Sequence, residues 1–233
     1  MYFKSFVYTI IFIVVFFLDA KVYSQEDTRD GLVKYTPEYR FKDGIYPNFQ
    51  SVKEDSPISK TRLVTDADLF SRDFFDQVTE KKNIVYYDDF GVKKEIKTSS
   101  IWGYARNGVL YINLGSRFHR ISFVGSIGHF VATLSTYNPG YYDPYYSPYY
   151  YNNRYYYNTT PSSYSSTEVR QYLIDFETGK LHEFEVYSVE ILLMKDPELY
   201  DEYMALRRKK KKQYKFVYIR KYNEKHPLYL PEN

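Results

Sequence analysis

The chain has 233 residues, a formal net charge of +3, 30 tyrosines and no cysteine. The lack of cysteine excludes disulfide bonds, thiolate metal sites, cysteine nucleophiles and a lipid attached to an N-terminal cysteine. So small a net charge neither indicates nor excludes an anionic membrane as a partner, and we expect no specific nucleic-acid binding.

Residues 1–24 have the pattern of a secretory signal peptide. Lys4 supplies the positive charge, an apolar run from Phe6 to Leu18 follows, and a small residue precedes the predicted cleavage point before Gln25. The alternative, a permanent membrane anchor, needs about 20 apolar residues, and Asp19 ends this run earlier. We therefore predict export to the periplasm, the outer membrane or the extracellular space, with no transmembrane segment after cleavage.

The first part of the mature chain has few clear signals. Residues 25–42 are polar and predict a flexible lead-in, and a single domain is predicted to span 43–230. The stretch 43–58 predicts a short strand followed by one helical turn. The stretch 65–78 is ambiguous, because Asp66 is a candidate helix N-cap while the Phe and Val residues that follow also suit a strand.

The middle of the chain alternates apolar runs with glycine-containing breaks, which is typical of successive antiparallel hairpins. Turn signals lie at residues 89–91 and 106–108. Trp102, the only tryptophan, is predicted to pack in or beside the core. In the run that follows, alternation predicts that three residues face the core: Leu110, Ile112 and Leu114.

Residues 129–137 and 168–176 are predicted to be the two arms of one more hairpin, and a turn at residues 177–179 leads into another. The segment 138–166 is then an insertion at a hairpin tip. It holds eleven tyrosines in 29 positions and no Leu, Ile, Val or Phe. The fold tolerates such an insertion, since each doubling of loop length costs only about 0.6 kcal/mol.

Two interpretations of this tyrosine-rich segment are open. Its low-complexity composition favours a loosely ordered extension. Tyrosine also gives large apolar contacts at low entropic cost and bonds through its hydroxyl, so the segment is alternatively an adhesive loop that contacts a glycan, a peptide or another copy of the protein. The candidate binding residues are Tyr141, Tyr142, Tyr145, Tyr146, Tyr149, Tyr150, Tyr151, Tyr155, Tyr156 and Tyr157.

Near the C-terminus, Asp196 as N-cap and Pro197 in the first turn predict a helix start, while residues 213–223 are open between helix and strand. A run of basic residues lies between these two regions and has two interpretations. The basic side chains either stabilise the C-terminal end of the preceding helix and cover apolar surface, or they contact an anionic surface such as lipid headgroups, lipopolysaccharide or nucleic acid. The candidate contact residues, termed the basic cluster, are Arg207, Arg208, Lys209, Lys210, Lys211 and Lys212.

The sequence contains no recognisable catalytic or metal-binding motif. A GxSxG motif is absent, and the glycines around Ser126 lack the Gly-Lys-Ser/Thr ending of a P-loop. The histidines have no ligand spacing and are predicted to lie on strand faces or in turns; they are His119, His129, His182 and His226. No catalytic residue, metal ligand or cofactor is therefore assigned.

Six short motifs carry a resemblance to a known family: "DGIY" (43–46), "IWGY" (101–104), "NGVLYI" (107–112), the "D…TGKL" turn (175–181), "DPELYDEY" (196–203) and "YIRKYNEKHPL" (218–228). They are similar to motifs of a family of exported Bacteroidota proteins whose domain has no assigned function. The likeness covers roughly residues 43–137 and 168–230, and so leaves out the tyrosine-rich segment. The resemblance implies an exported bacterial protein and implies no reaction.

These observations predict an α+β fold with an antiparallel, mostly meandering sheet of about 7–9 strands, open or rolled into a half-open barrel, and C-terminal helices. The predicted function is that of a non-catalytic interaction or structural protein of the cell envelope. Two alternatives are a hydrolase that acts on glycans through paired carboxylates and a β-barrel that carries a lipid or another small ligand.

Overall fold

The fold comes from a computed structural model, which describes residues 31–115, 117–138 and 164–232. The predicted signal peptide, part of the lead-in and the ten candidate tyrosines lie outside these residues. The described strands are β1 (Leu32–Lys34), β2 (Gly44–Tyr46), β3 (Ile58–Ser59), β4 (Asn83–Tyr87), β5 (Lys93–Lys97), β6 (Gly103–Arg106), β7 (Val109–Leu114), β8 (Arg117–Phe123), β9 (Ile127–Asn138), β10 (Tyr164–Asp175), β11 (Leu181–Glu183) and β12 (Tyr229–Pro231). The described α-helices are α1 (Phe49–Lys53), α2 (Phe74–Glu80), α3 (Val186–Leu193), α4 (Pro197–Met204) and α5 (Arg208–Lys225).

Eight strands form one antiparallel sheet in the order β11-β10-β9-β8-β7-β6-β2-β3. Six consecutive strands, β6 to β11, are sequential neighbours, which is a meander. Two small antiparallel sheets, β1 with β12 and β4 with β5, lie beside it. The predicted α+β class is confirmed. The described sheet is open, because β3 and β11 at its two edges do not pair with each other, so it is not the closed barrel that the carrier alternative requires.

The first face of the sheet is covered by the N-terminal segment, α1 and the C-terminal strand. Leu110 and Ile112 of β7 are buried on it, as the alternation predicted, and Phe130 and Ile174 continue the same layer. Trp102 packs at the edge of this layer against Phe49, also as predicted. The burial of every second strand residue is therefore the basis of this half of the core.

The second face carries two separate layers. Over β9 and β10, the helices α3 to α5 bury Ile127 and Leu173. Over β2 and β6, α2 and the β4–β5 hairpin bury Ile45 and Tyr104, and the Tyr104 ring stacks on that of Phe75 at 4.8 Å between centroids. Four of the five described α-helices, α2 to α5, thus lie on this second face, and the long C-terminal helix α5 lies directly on β9.

The ambiguous stretch 65–78 is a helix only in its second half. The α2 helix begins at Phe74, and Asp66 is not its N-cap. In the first half, the Asp68 carboxylate accepts a hydrogen bond from the Phe70 N–H, and the Ser71 hydroxyl accepts one from the Asp73 N–H. Such local side-chain bonds to the backbone compete with helix formation, which explains why the helix starts late.

The structure corrects the prediction for the hairpin after residues 177–179 and decides between helix and strand at residues 213–223. The hairpin expected after the turn at residues 177–179 has only a three-residue second arm, β11, and the chain then enters α3. Val189, Leu192 and Leu193 recur at helical spacing and are buried, so tertiary burial decides for helix there. Residues 213–223 are helical, within the single helix α5.

A buried carboxylate holds the N-terminal part of the domain. Asp55 is 1% exposed and accepts hydrogen bonds from the hydroxyls of Tyr46 and Tyr39 and from the Lys42 N–H. Its φ of +43° is in the left-handed region, which Asp tolerates better than most residues. Burial, and then the bond to Asp55, raises the pKa of Tyr46, so the phenol stays a donor at neutral pH.

We expect Asp55→Ala to lower the free energy of unfolding by about 2–4 kcal/mol, because it leaves buried donors unpaired and places Ala at a positive φ. Urea unfolding followed by circular dichroism measures this loss. Asp55→Asn keeps an acceptor oxygen and should lose less. Glu54→Ala, at the exposed neighbouring position, should change stability by less than about 0.5 kcal/mol. Equal effects at positions 54 and 55 would contradict the role given to the buried carboxylate.

Candidate functional site

Segments far apart in the sequence meet at a cleft of about 430 Å³. They are the turn after β10, the loop before α4, the end of α5 and one lysine of α1. We call this site the charged cleft. Its lining residues are Lys53, Ser126, Asp175, Phe176, Glu177, Lys195, Tyr222, Lys225, His226, Pro227, Leu228 and Tyr229.

One wall of the charged cleft is the turn between β10 and β11. The Asp175 carboxylate accepts hydrogen bonds from the Glu177 N–H (3.1 Å) and the Thr178 hydroxyl (2.7 Å), which fixes the turn. Gly179 has a φ of +76°, and a Cβ there would lie 2.5 Å from the Phe49 ring. Only glycine therefore allows this turn to pack so closely against α1.

Lys195 joins this turn to the loop before α4. Its Nζ lies 3.0 and 2.9 Å from the two carboxylate oxygens of Asp175 and also donates to Glu177. Burial opposes ionisation of Asp175, but the bonds from Lys195, Thr178 and the turn backbone together lower its pKa. The pKa of Lys195 is raised, because these hydrogen bonds outweigh its burial. The ion pair is therefore kept at neutral pH.

The second wall is the contact between the start of α4 and the end of α5. The Asp196 carboxylate caps α4 by accepting from the Leu199 N–H at 3.1 Å, as the sequence predicted for this N-cap. It also lies 2.6 Å from His226 Nε2 and 2.9 Å from Lys225 Nζ. The hydrogen bond from His226, and then that from Lys225, holds the pKa of Asp196 well below its usual range.

These carboxylates are poorly suited to proton transfer. A general acid at neutral pH needs a raised carboxyl pKa, whereas the pKa values of Asp175 and Asp196 are both lowered. Their oxygens are engaged by lysine, histidine and backbone donors. The chemistry that this arrangement supports is rigid hydrogen-bonding recognition.

The predicted tyrosine site begins at the end of the longest hairpin. β9 and β10 pair without interruption from Ile127↔Asp175 to Asn138↔Tyr164. The second arm was predicted to begin at Glu168, which pairs with Leu134, so the ribbon extends four residue pairs further than the sequence predicted. The candidate tyrosines themselves lie outside the described residues. Because Asn138 and Tyr164 are direct Cα partners, both ends of the tyrosine-rich segment are anchored on one ribbon.

The basic cluster lies where α4 ends and α5 begins, and its members differ. Lys211 is half-buried, donates to Glu190 at 2.8 Å and lies over the Tyr203 ring, so it belongs to the packing between helices. Five members are exposed and make no ion pair within the part of the chain that the structure describes: Arg207, Arg208, Lys209, Lys210 and Lys212. They also occupy the start of α5, where the helix dipole disfavours cations.

Three of the histidines lie on strands, His119 on β8, His129 on β9 and His182 on β11, and the fourth, His226, follows α5. His119 on β8 bonds to the Leu114 carbonyl, and His129 on β9 bonds to Gln171 and packs against two phenylalanine rings, as expected for strand-face histidines. His226 instead ends α5 inside the charged cleft, which sequence reasoning missed. Among the residues that the structure describes, no three His, Asp or Glu side chains are grouped as metal ligands.

Comparison with protein-family models, with curated proteins and with solved structures finds no match for the chain. Within residues 31–115, 117–138 and 164–232, no helix is both long enough and apolar enough to cross a membrane. The sequence assigned no function to Asp175, Lys195 or Lys225, and the local signals that bore on the cleft were the turn at residues 177–179 and the N-cap at Asp196.

We expect acid to destabilise the protein partly through Asp196. The pKa of Asp196 in the folded state lies below its unfolded value of about 3.9. Its contribution to the free energy of unfolding is therefore complete above that pH and is lost as the pH falls below it. Asp196→Asn keeps a capping side chain but removes the titration, and its free energy of unfolding should fall less between pH 6 and pH 2. Urea unfolding over a pH series measures both curves.

The matched control is Asp201→Asn, which removes an exposed carboxylate from the same helix. Its curve should run parallel to that of the unsubstituted protein. If the Asp196 variant also runs parallel, the ion pairs at the start of α4 do not stabilise the fold.

Proposed function

We propose that the chain is an exported, envelope-associated binding protein without catalytic activity of its own. The observation that carries this proposal is the β9–β10 ribbon, which pairs as far as Asn138 and Tyr164 and holds the tyrosine-rich segment between those two residues. A glycan, a peptide or a second copy of the protein is the proposed partner, and the periplasm, the outer membrane or the extracellular space is the proposed location.

The composition of the anchored segment supports a binding role. Tyrosine rings stack on apolar faces and their hydroxyls form hydrogen bonds, which is why tyrosine dominates adaptable binding surfaces. The pairing of Asn138 with Tyr164 also holds the two ends of the segment together before any partner binds, and such preorganisation lowers the entropic cost of binding. The lowered carboxyl pKa values in the charged cleft support binding over hydrolysis.

Replacing residues 139–163 with Asn-Gly should remove binding and leave the fold intact. Asn-Gly forms the type I′ turn that closes a two-residue hairpin, and the shorter loop costs less closure entropy. We expect an unchanged or higher melting temperature, with loss of co-sedimentation with purified envelope polysaccharide and of self-association in analytical ultracentrifugation. Calorimetry measures the melting temperature, and the sedimentation experiments measure polysaccharide binding and self-association.

The matched control keeps the length of the segment and changes its ten candidate tyrosines to serine. It should lose binding as completely as the short-loop variant does. Full binding by either variant would show that the segment is not the contact. A large drop in melting temperature for the short-loop variant would show that the segment belongs to the core.

A second contact with an anionic surface is favoured by the exposure of the basic cluster. Its five exposed members lie at the start of α5, where a positive charge interacts unfavourably with the helix dipole. They have no acidic partner among the described residues. Cations near an anionic membrane contribute about 1 kcal/mol each. Lys211 is excluded from this contact because Glu190 already binds it.

Changing Lys209, Lys210 and Lys212 to glutamine should weaken binding to phosphatidylglycerol vesicles by roughly 100-fold at low salt, at about 1 kcal/mol for each lysine. Added salt should reduce the binding of the unsubstituted protein through screening. Vesicle sedimentation measures both effects. Lys211 is left in place so that the packing of α5 is not disturbed.

The control removes the same charge elsewhere, with Lys82, Lys93 and Lys97 changed to glutamine on and beside the β4–β5 hairpin. These side chains are exposed. The control should retain most of the vesicle binding. Equal losses in the two triple variants would mean that net charge alone, and not the basic cluster, attracts the vesicles.

A further inference from the structure

The charged cleft contains a mostly buried tyrosine whose hydroxyl has no protein partner among the described residues. Tyr222 is 6% exposed, and its ring packs against that of His226 at 4.7 Å. Within the described residues its hydroxyl makes no hydrogen bond, yet the hydroxyl is not sealed inside the core, because the residue lines the cleft. The hydroxyl keeps some accessible surface and has no protein partner among the described residues, so it is available to a bound molecule.

Two lysines of the cleft are each already paired with two carboxylates. Lys195 is bound by Asp175 and Glu177, and Lys225 is bound by Asp196 and Glu198. An anionic ligand would compete with carboxylates for these lysines, and a cationic ligand would compete with the lysines for the carboxylates. A neutral polar ligand breaks no ion pair and still meets carboxylate oxygens that have spare lone pairs.

Apolar side chains form the rest of the lining. Phe176, Pro227, Leu228 and Tyr229 stand beside the polar groups in a space of about 430 Å³, within the size range of small-molecule sites. A molecule that fits this lining has an apolar face and several hydroxyl groups. A pyranose ring has both, since its axial C–H groups form an apolar face and its hydroxyls project from the edge.

We infer that the charged cleft binds a neutral saccharide of one or two rings, with the Tyr222 hydroxyl as a direct hydrogen-bonding partner. The inference rests on the proposed binding role and names a ligand class for a site other than the tyrosine-rich segment. Lys53, exposed and without an ion-pair partner among the described residues, stands at the cleft as a further donor to a sugar oxygen. Asp175 and Asp196 act through the lysines that they fix in place.

The test uses the chain from Gln25 onward and a panel of glucose, galactose, N-acetylglucosamine, maltose, cellobiose and lactose. Saturation-transfer NMR identifies binders, and calorimetry measures their dissociation constants. We expect at least one member to bind and Tyr222→Phe to weaken its binding by about 2- to 10-fold, the usual value of one hydrogen bond. Tyr218→Phe, one turn earlier on α5 and outside the cleft, should leave binding unchanged.

Three outcomes would overturn the inference: no transfer from any sugar, equal effects of the two Tyr→Phe substitutions, or Tyr222-dependent binding of acetate, phosphate or glycine instead of a sugar. Melting curves confirm that both variants fold. The panel is repeated on the variant with residues 139–163 replaced by Asn-Gly. Retained sugar binding assigns it to the cleft, whereas lost binding assigns it to the tyrosine-rich segment and overturns the inference while leaving the proposed function intact.

Discussion

The arrangement of the C-terminal half depends on two adjacent residues of opposite charge, Lys195 and Asp196. Lys195 reaches back to the sheet and binds Asp175, while Asp196 caps α4 and binds Lys225 and His226 at the end of α5. One short loop therefore ties β10, α4 and α5 together. The charged cleft is the space left between these ties, so its shape is set by ion pairs that hold the helices on the sheet.

The burial of the two carboxylates in these ion pairs has an energetic consequence. Asp175 and Asp196 are 5% and 3% exposed, and a buried charge that loses its partner is strongly destabilising. Both carboxylates also accept backbone N–H groups, at the β10–β11 turn and at the start of α4. The same side chains therefore fix both the local fold and the walls of the cleft.

The sequence was informative where structure depends on neighbouring residues. Alternation placed Leu110 and Ile112 on the core face, and the Asp196 N-cap follows from a local hydrogen bond. The cleft could not be predicted in this way, because its partners are 20 and 30 residues apart and meet only once α5 lies on β9. The late start of α2 shows that even a local pattern is overridden when side chains bond to the backbone first.

The two predicted contact regions and the cleft lie at opposite ends of the same elements. On β9, Ile127 contacts Asn223 and His129 contacts Phe216, so α5 runs toward its basic start as β9 runs toward the tyrosine-rich segment. At 1.5 Å per residue, the 18 residues of α5 separate the basic cluster from His226 by about 27 Å. Effects at positions so far apart with no shared partner are usually additive, so the surface contact and the saccharide site proposed above are expected to act independently of each other.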